Sequence, residues 1–286
     1  MRCSKSRYDP GGGGINVARV AQALGEKACA VFPAGGLTGG QIIGLLAEAS
    51  IPMAVVAIEG PTRESFTVNE TETGNQYRFV LPGPSLTESA QRQCLTRLSE
   101  ATSDGSFVVA SGSLPPGVPP GFLNEVARLC SLRGLRLVVD TSGAGLSNLS
   151  EPVYLLKPSV RELREFTGLP LDSDDEQAAA AEDIVMQGRA EIVVVSKAAA
   201  GVLLVSADGV VRIPAVPVPP GSGVGAGDAL VAGIVVGLTQ GLPVVEAVRY
   251  GMAAGAAMLL TPGTEVCKKP DVERLYRSFS AVSAEV

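Results

Sequence analysis

Short apolar runs alternate with longer segments of helical periodicity along most of the chain. Runs such as Phe107–Ser111 and Ile192–Ser196 carry almost no polar residue, which is typical of strands buried on both faces of a parallel sheet. Segments such as Glu88–Ala101 repeat apolar residues every three or four positions, as the buried face of a helix requires. The alternation predicts βαβ units, and therefore a parallel sheet with right-handed crossovers and flanking helices.

The pattern also predicts where each core element lies. We expect strands at Ala28–Phe32, Phe107–Ser111, Leu135–Asp140, Val153–Lys157, Ile192–Ser196, Val202–Val205 and Val210–Ile213. We expect helices at Ile15–Leu24, Gly39–Ala49, Glu88–Ala101, Pro120–Leu132, Val160–Thr167, Glu176–Gln187, Asp228–Leu238, Val244–Leu260 and Pro270–Phe279. The last helices follow one another without a strand, so we expect them to pack around the ligand edge of the sheet.

One region departs from this alternation. Ser65–Glu70 and Gln76–Leu81 alternate apolar and polar residues, and Thr71–Asn75, which contains Gly74, joins them, so they predict a β-hairpin. With residues 1–9 and 53–58 the hairpin is expected to form a small separate sheet. Such a sheet above the carboxyl ends of the core strands would serve as a lid or a dimer surface. We interpret residues 1–286 as a single domain with this β-lid.

The composition supports a buried parallel sheet and excludes several functions. Apolar residues make up 46% of the 286 residues and aromatic residues only 4%, so the core is built from Val, Leu, Ile and Ala. The net charge of −6 disfavours nucleic acid and anionic membranes as partners. No apolar run reaches the roughly 18 residues of a membrane span, and the N-terminus has no signal-peptide pattern. We expect a cytoplasmic protein.

The chain contains no histidine. This excludes Ser-His-Asp and Cys-His catalysis and histidine metal sites, so any general base is Asp, Glu, Lys, Tyr or Cys. The cysteines (Cys3, Cys29, Cys94, Cys130 and Cys267) are scattered without metal-ligand spacing and are expected to be reduced thiols.

Two glycine-rich segments carry the candidate chemistry. In the segment 221–238 a glycine-rich turn leads directly into an apolar helix, and Asp228 lies at the junction. Small residues and the first N–H groups of a helix suit an anion such as a phosphate, and Asp228 could accept a proton there. The alternative is a tight turn in which Asp228 only caps the helix. A second cluster, Gly11–Gly14, begins the first predicted helix, and Asn16 lies one turn inside it.

In combination these segments resemble the ribokinase-like PfkB family of sugar kinases, and most closely its ATP-dependent 6-phosphofructokinases. The resemblance covers nearly the whole chain. It rests on Gly11–Arg19, Thr62-Arg63, Tyr77–Gly83, Ser111–Gly117, Lys157-Pro158, Gly223–Asp228 and Pro262–Thr264, in that order. The resemblance implies a parallel-sheet α/β/α core with a small β-sheet lid.

The resemblance also implies a role for individual residues on the acceptor side. Asp228 would deprotonate the acceptor hydroxyl. An anion hole for the transferred phosphoryl group would come from Gly225, Ala226 and Gly227. The sugar would contact Gly12, Gly13 and Asn16, and its phosphate would bind Arg63 and Ser113, since the guanidinium fork of arginine matches phosphate oxygens.

On the nucleotide side, the resemblance implies ATP contacts and two cations. ATP would contact Lys157, Ser159, Ser196, Gly201 and Met252. Glu162 would help to hold Mg²⁺ through water, because Mg²⁺ keeps much of its hydration shell. The backbone at Ser222, Val224 and Gly263 would bind a monovalent cation, K⁺.

Three features differ from the family pattern. Ser159 stands where the family has the Asn of Asn-x-x-Glu, which alters the Mg²⁺ shell. Ala198 replaces a glycine near the nucleotide in the segment Ser196–Gly201. Only residues 1–10 precede the first glycines, so the resemblance implies that the first core strand, with a sugar-binding Asp, is missing.

We therefore expect ATP-dependent phosphorylation of a sugar phosphate, with fructose 6-phosphate as the favoured acceptor and a homodimer formed through the lid. Tagatose 6-phosphate and fructose 1-phosphate are the alternative acceptors. A protein that binds nucleotide or sugar phosphate with little catalysis is the alternative from another class.

Overall fold

The structure is a computed structural model that describes residues 6–70, 73, 76–103, 105–219, 221–261 and 265–282. Its strands are β1 (Ala30–Ala34), β2 (Met53–Ala57), β3 (Ser65–Asn69), β4 (Gln76–Val80), β5 (Phe107–Ser111), β6 (Arg136–Asp140), β7 (Val153–Leu156), β8 (Ala190–Ser196), β9 (Val202–Ser206) and β10 (Gly209–Ile213). Its helices are α1 (Gly13–Ala23), α2 (Gly36–Glu48), α3 (Glu88–Ala101), α4 (Phe122–Leu132), α5 (Ala144–Ser147), α6 (Val160–Thr167), α7 (Asp174–Met186), α8 (Ala226–Thr239), α9 (Val244–Met258) and α10 (Lys269–Val282).

The main sheet has six strands in the order β10-β9-β8-β7-β6-β5. Strands β5 to β8 are parallel, as predicted. Strand β9 is antiparallel to both β8 and β10, which corrects the expectation of a wholly parallel sheet. The reason is the shortness of two links, Lys197–Gly201 between β8 and β9 and Ala207-Asp208 between β9 and β10, because a parallel crossover needs a connection of about a dozen residues or more.

Two smaller sheets lie outside the main one. Strands β3 and β4 form the predicted antiparallel hairpin. Strand β2 pairs in parallel with β1, so the expectation that residues 53–58 join the hairpin is wrong. Helix α2 connects β1 to β2 as a βαβ unit, which requires parallel pairing. Residues 6–9 are not in a strand, while residues 1–5 and Gly74 lie outside the described residues.

The main sheet is covered by helices on both faces, so the predicted α/β/α core is confirmed. Alternate residues of β8 enter different clusters: Ile192 and Val194 pack with α1, α8, α9 and α10, whereas Val193 and Val195 pack with α4 and α7. Residues of α1, β1 and α2 form a third, smaller cluster. In the described part of the chain, no helix is long and apolar enough to cross a membrane.

Helices α8 and α9 pack with their backbones in contact. A Cβ atom at Gly251 would lie 2.5 Å from the carbonyl oxygen of Leu230, and one at Gly233 would lie 2.6 Å from Gly251 Cα. Only glycine allows this approach, since real Cβ atoms do not come so close to backbone. Helix α8 is therefore fixed against α9 at its middle, and it carries Asp228 in its first turn.

Candidate active site

Asp228 is held at the start of α8 by residues from two other elements. Gly225, the N-cap residue, has φ 82° and turns the chain into the helix. The carboxylate then accepts a hydrogen bond on each oxygen. Asn16 Nδ2 of α1 donates to Oδ2 over 2.8 Å, and Ser111 Oγ at the end of β5 donates to Oδ1 over 3.3 Å. Asp228 is therefore more than a helix cap: three elements meet at its side chain.

The environment of Asp228 favours proton uptake. Burial raises the pKa of Asp228, and the hydrogen bonds from Asn16 and Ser111 oppose the rise, as do the charges of Lys157 and Arg78. A carboxylate with a raised pKa is a better base for a hydroxyl proton than an ordinary exposed aspartate.

The turn before α8 is open on one side and supported on the other. A Cβ atom at Gly227 would meet nothing within 4 Å, whereas one at Gly225 would lie 3.1 Å from Met258 Cε. The N–H of Ala226 donates to the carbonyl of Gly223 over 3.2 Å. The space beside Gly227, at the positive end of a fourteen-residue helix, suits an anion.

The first glycine cluster lies against the end of β5. Gly12 is the N-cap of α1 and has φ 109°, which favours glycine. At Gly13 the constraint is space: a Cβ atom would overlap Ser111 Oγ and lie 2.9 Å from the backbone nitrogen of Gly112. These glycines let α1 approach β5 closely enough for Asn16 to reach Asp228.

The predicted phosphate-binding residues are exposed. Arg63 follows Thr62, whose hydroxyl accepts a hydrogen bond from the N–H of Gly35 over 3.0 Å and so anchors the loop to the end of β1. Ser113 follows Gly112, whose N–H donates to the carbonyl of Asp140 over 2.9 Å. Among the described residues, neither Arg63 nor Ser113 forms a hydrogen bond or an ion pair with Asp228.

Lys157 is buried and forms an ion pair with Asp140. Its Nζ lies 3.0 Å from Asp140 Oδ1, and the side chains are 6% and 16% exposed. Burial raises the pKa of Asp140 to about 6, Lys157 opposes the rise, and the charges of Asp228 and Glu162 add to it. Asp140 thus belongs to the charged centre of the site.

Ser159 and Glu162 form a capping box at the start of α6. The backbone N–H and the hydroxyl of Ser159 both donate to Glu162 Oε2 over 2.8 Å. The N–H of Glu162 donates back to Ser159 Oγ over 3.3 Å. Glu162 is mostly buried, and its second oxygen, Oε1, lies 4.0 Å from Arg161. The hydrogen bonds from Ser159 therefore use one carboxylate oxygen of Glu162, the residue predicted to help hold Mg²⁺.

The predicted nucleotide residues after β8 form a tight turn. The N–H of Ser196 donates to the carbonyl of Pro158 over 2.8 Å, which brings this strand end beside Ser159. Ala198, where the family has glycine, adopts φ 49°. Gly201 has φ 94°, and a Cβ atom there would overlap the backbone of Ile213. Met252 is 7% exposed and packs in the core cluster around α8 and α9.

Two of the three residues predicted to bind a monovalent cation, Ser222 and Val224, fall among the described residues. Ser222 and Val224 precede α8, and Val224 lines a small cavity with Asn16, Arg19 and Met258. Gly263 lies outside the described residues. Among the residues that the structure describes, no group of three or more acidic or cysteine side chains could hold a metal ion by itself.

Three residues at the site were missed by the sequence analysis. Ser111 and Asp140 end the adjacent strands β5 and β6, and the charge of Arg78, on strand β4 of the hairpin, opposes the rise in the pKa of Asp228. A polar residue at the carboxyl end of a buried parallel strand is a visible signal for the first two. Nothing in the local sequence of the hairpin indicates that Arg78 approaches Asp228.

Comparison with known proteins finds carbohydrate kinases. A family model described as pfkB family carbohydrate kinase matches residues 1–271. The chain is 54% identical over 276 residues to the ATP-dependent 6-phosphofructokinase isozyme 2 of Mycobacterium tuberculosis, covering 96% of this chain and 81% of that protein.

Two solved structures of the phosphofructokinase-2 from Escherichia coli are also similar. The complex with potassium has a TM-score of 0.93 at 39% identity and covers 98% of this chain and 91% of its own. The complex with fructose-6-phosphate has a TM-score of 0.91 at 37% identity, with 98% and 90% covered.

Proposed function

The chain belongs to the pfkB family of carbohydrate kinases, and from this premise we propose that it transfers a phosphoryl group from ATP to fructose 6-phosphate, forming fructose 1,6-bisphosphate. It is a sugar-phosphate kinase with a ribokinase-like α/β fold. The acceptor is inferred from the similar Mycobacterium tuberculosis enzyme and from the Escherichia coli enzyme whose structure contains fructose-6-phosphate.

The observation that carries the proposal is the placement of Asp228. Its carboxylate accepts hydrogen bonds from α1 and β5 and lies beside an open glycine turn at the positive end of α8. A base and an anion-binding turn side by side are what transfer of a phosphoryl group to a hydroxyl requires.

In the proposed reaction, Asp228 accepts the proton of the primary hydroxyl of the sugar phosphate. The oxygen of that hydroxyl forms a bond to the γ-phosphorus, and the bond from this phosphorus to the bridging oxygen of ADP breaks. Charge spread over the transferred phosphoryl oxygens is stabilised by backbone N–H groups at Gly225, Ala226 and Gly227, and the N–H of Ala226 would exchange its hydrogen bond to the Gly223 carbonyl for one to the phosphoryl group. Catalysis consists mainly of positioning and electrostatic stabilisation.

Local cations offset the overall negative charge in this proposal. Arg63 and Ser113 are exposed at the edge of the site and would hold the phosphate of the acceptor, with Gly12, Gly13 and Asn16 next to the sugar. Lys157, Ser159, Ser196 and Gly201 line the strand ends where ATP would bind. Arginine suits the acceptor phosphate because its fork donates two parallel hydrogen bonds.

The proposal includes Mg²⁺, and Glu162 fits an indirect role. Its Oε2 is used by the capping box, and the side chain retains Oε1 for a water of a hydrated ion. Few protein carboxylates are needed, since Mg²⁺ in such enzymes relies on water and on the phosphates of the nucleotide. Mg²⁺ would neutralise charge on those phosphates.

We also infer a K⁺ site near Ser222 and Val224, supported by the potassium complex of the similar Escherichia coli enzyme.

We further infer a homodimer formed through the hairpin and a cytoplasmic location. Phe66 pairs with Phe79 across the hairpin, so both side chains lie on one face, and their rings stack 4.8 Å apart. Arg78, next to Phe79, lies on the opposite face. Exposed apolar faces of this kind mark interaction surfaces. Free cysteines in the described part support a reducing compartment.

An acceptor panel tests the proposed function. ADP release is measured with fructose 6-phosphate, fructose 1-phosphate, tagatose 6-phosphate and unphosphorylated fructose. We expect the highest kcat/KM for fructose 6-phosphate. A chain that binds ATP but releases no ADP with any of the sugars would contradict an enzymatic function.

The variant Asp228→Asn tests the base. It is isosteric but cannot accept a proton, and a general base contributes roughly 10²–10⁴ in rate, so kcat should fall by that factor. ATP binding, measured by calorimetry, should be nearly unchanged. If the variant retained more than half of the wild-type kcat, the role of Asp228 would be structural only.

A further inference from the structure

We propose that Ser111 is a positioning residue of this phosphoryl transfer. Its hydroxyl holds the Asp228 carboxylate in the orientation in which the carboxylate accepts the proton of the sugar hydroxyl. The inference rests on the proposed function. It adds a residue from the end of β5 to the machinery around the base.

The geometry places one donor on each oxygen of the base. Ser111 Oγ donates to Oδ1 over 3.3 Å, and Asn16 Nδ2 donates to Oδ2 over 2.8 Å. The terminal torsion of an aspartate is broad, so an isolated carboxylate rotates easily. Donors on both oxygens fix this rotation. Each oxygen keeps a further lone pair, which leaves the carboxylate able to accept from a hydroxyl on its open side.

The neighbouring backbone is arranged so that Ser111 can reach Asp228. A Cβ atom at Gly13 would overlap Ser111 Oγ, and it would lie 2.9 Å from both Gly112 N and Ser111 C. Gly13 itself has an ordinary helical φ, so glycine is required there by space and not by conformation. The bare backbone of α1 thus makes room for the hydroxyl of Ser111.

Ser111 acts on a base that several charges also influence. Lys157, directly after β7, and Arg78 from β4 favour the charged form of Asp228, and the charge of Asp228 in turn raises the pKa of Asp140 at the end of β6. Arg19 of α1 donates to Asn16 Oδ1 over 3.4 Å, and Glu162 of α6 acts on Asp140. Ser111 is a neutral donor. Its removal therefore leaves these charges in place and changes only the hydrogen bond to Oδ1.

The test compares Ser111→Ala with Ser113→Ala, two serines in the same strand-end segment. Ser111→Ala should lower kcat roughly tenfold through misorientation of the base. Loss of a donor to a carboxylate raises its pKa, so the acidic limb of kcat/KM should move up by about one pH unit. Ser113→Ala should raise KM for the acceptor and leave the acidic limb unmoved.

Two further variants separate position from packing. Ser111→Thr keeps a hydroxyl and should restore the acidic limb to its wild-type position. Should Ser111→Ala fail to fold, Ser111→Cys, with a weaker donor, is measured in the same way. Melting temperature and ATP affinity establish that each variant is folded.

A second readout measures the base directly. Carbon-13 NMR follows the titration of the Asp228 carboxyl, assigned by the signal lost in Asp228→Asn, and Ser111→Ala should move its midpoint upward. A midpoint and an acidic limb both equal to wild type would overturn the inference, as would a variant that changes only the acceptor KM. If the wild type phosphorylates no acceptor, both the proposed function and this inference are wrong. If the wild type is active but Ser111→Ala leaves the midpoint of Asp228 unchanged, only this inference is wrong.

Discussion

At the scale of residues, the pair of Lys157 and Asp140 has the clearest energetic consequence. Both side chains are largely removed from water, and burying either charge without its partner would cost several kcal/mol of desolvation free energy, on the order of the penalty for one buried ion. Removing one partner of such a pair leaves an uncompensated charge, which costs more than the pair itself contributes. When Lys157 is removed, the free energy of unfolding should therefore depend on pH through the charge of Asp140.

The variant Lys157→Met removes the cation and nearly keeps the volume. We expect the free energy of unfolding at pH 8 to fall by about 3 kcal/mol. Without Lys157 the pKa of Asp140 rises above its value of about 6, so the folded state binds a proton that the unfolded state lacks. The loss should therefore shrink as the pH falls from 8 to 5. Urea unfolding at both pH values measures it.

Arg128→Met is the matched control for this prediction. Arg128 pairs with Glu151 over 2.9 Å, but its side chain is 57% exposed. An exposed pair contributes only about 0–1 kcal/mol, so this variant should be nearly neutral at both pH values. An equal loss at pH 5 and pH 8 in Lys157→Met would show that packing, and not the charge of Asp140, accounts for the effect.

At the scale of elements, the contact of α1 with β5 allows a sharp comparison of two adjacent glycines. Gly13→Ala should lower the free energy of unfolding by about 1–3 kcal/mol through overpacking. It should also lower kcat/KM roughly a hundredfold, since it displaces Ser111 and the start of α1. At Gly14 a Cβ atom would lie 4.0 Å from its nearest neighbour, Ser111 O. Gly14→Ala should therefore leave the melting temperature unchanged or raise it. Equal melting temperatures for the two variants would contradict the contact.

The hairpin of β3 and β4 gives the second prediction at this scale. Phe66 and Phe79 are each about half exposed, and we expect them to lie in the dimer contact. Phe66→Ser and Phe79→Ser should shift the protein from dimer to monomer in sedimentation velocity. Leu132→Ser on α4, where the leucine is 86% exposed, removes an exposed apolar side chain elsewhere and should leave the dimer intact. A wild type that sediments as a monomer would refute the proposed dimer.

Strand direction and pairing were the parts of the fold that the sequence did not reveal. The apolar runs at β9 and β10 look like those of parallel strands, because a buried run carries no information about direction. Only the short links before and after β9, Lys197–Gly201 and Ala207-Asp208, distinguish them. Residues 53–58 are close to the hairpin in sequence, but the helix between β1 and β2 indicates a βαβ unit.

The site was predictable where local chemistry is explicit. A glycine turn before an apolar helix indicated Asp228, and a glycine cluster before another helix indicated Asn16, which the structure brings together over 2.8 Å. Ser111, Asp140 and Arg78 act through contacts between distant elements, which one sequence does not show. The Ser-x-x-Glu spacing of Ser159 and Glu162 is the sequence signature of the capping box that the structure contains.

At the scale of the whole molecule, the backbone contact of α8 with α9 has a consequence for amide hydrogen exchange. Gly233 lies against Gly251 and most residues in the middle of both helices are buried, so exposing those amides requires the two helices to separate. Their exchange should approach the rate set by global unfolding. A two-stranded hairpin is marginal by itself, so the amides of β3 and β4 should exchange far faster. Mass spectrometry of exchanged peptides measures both, and similar rates in the two regions would contradict this view. Asp228 would then be carried by a helix whose middle exchanges slowly, while the hairpin opens easily, so that the hairpin can move without displacing the base.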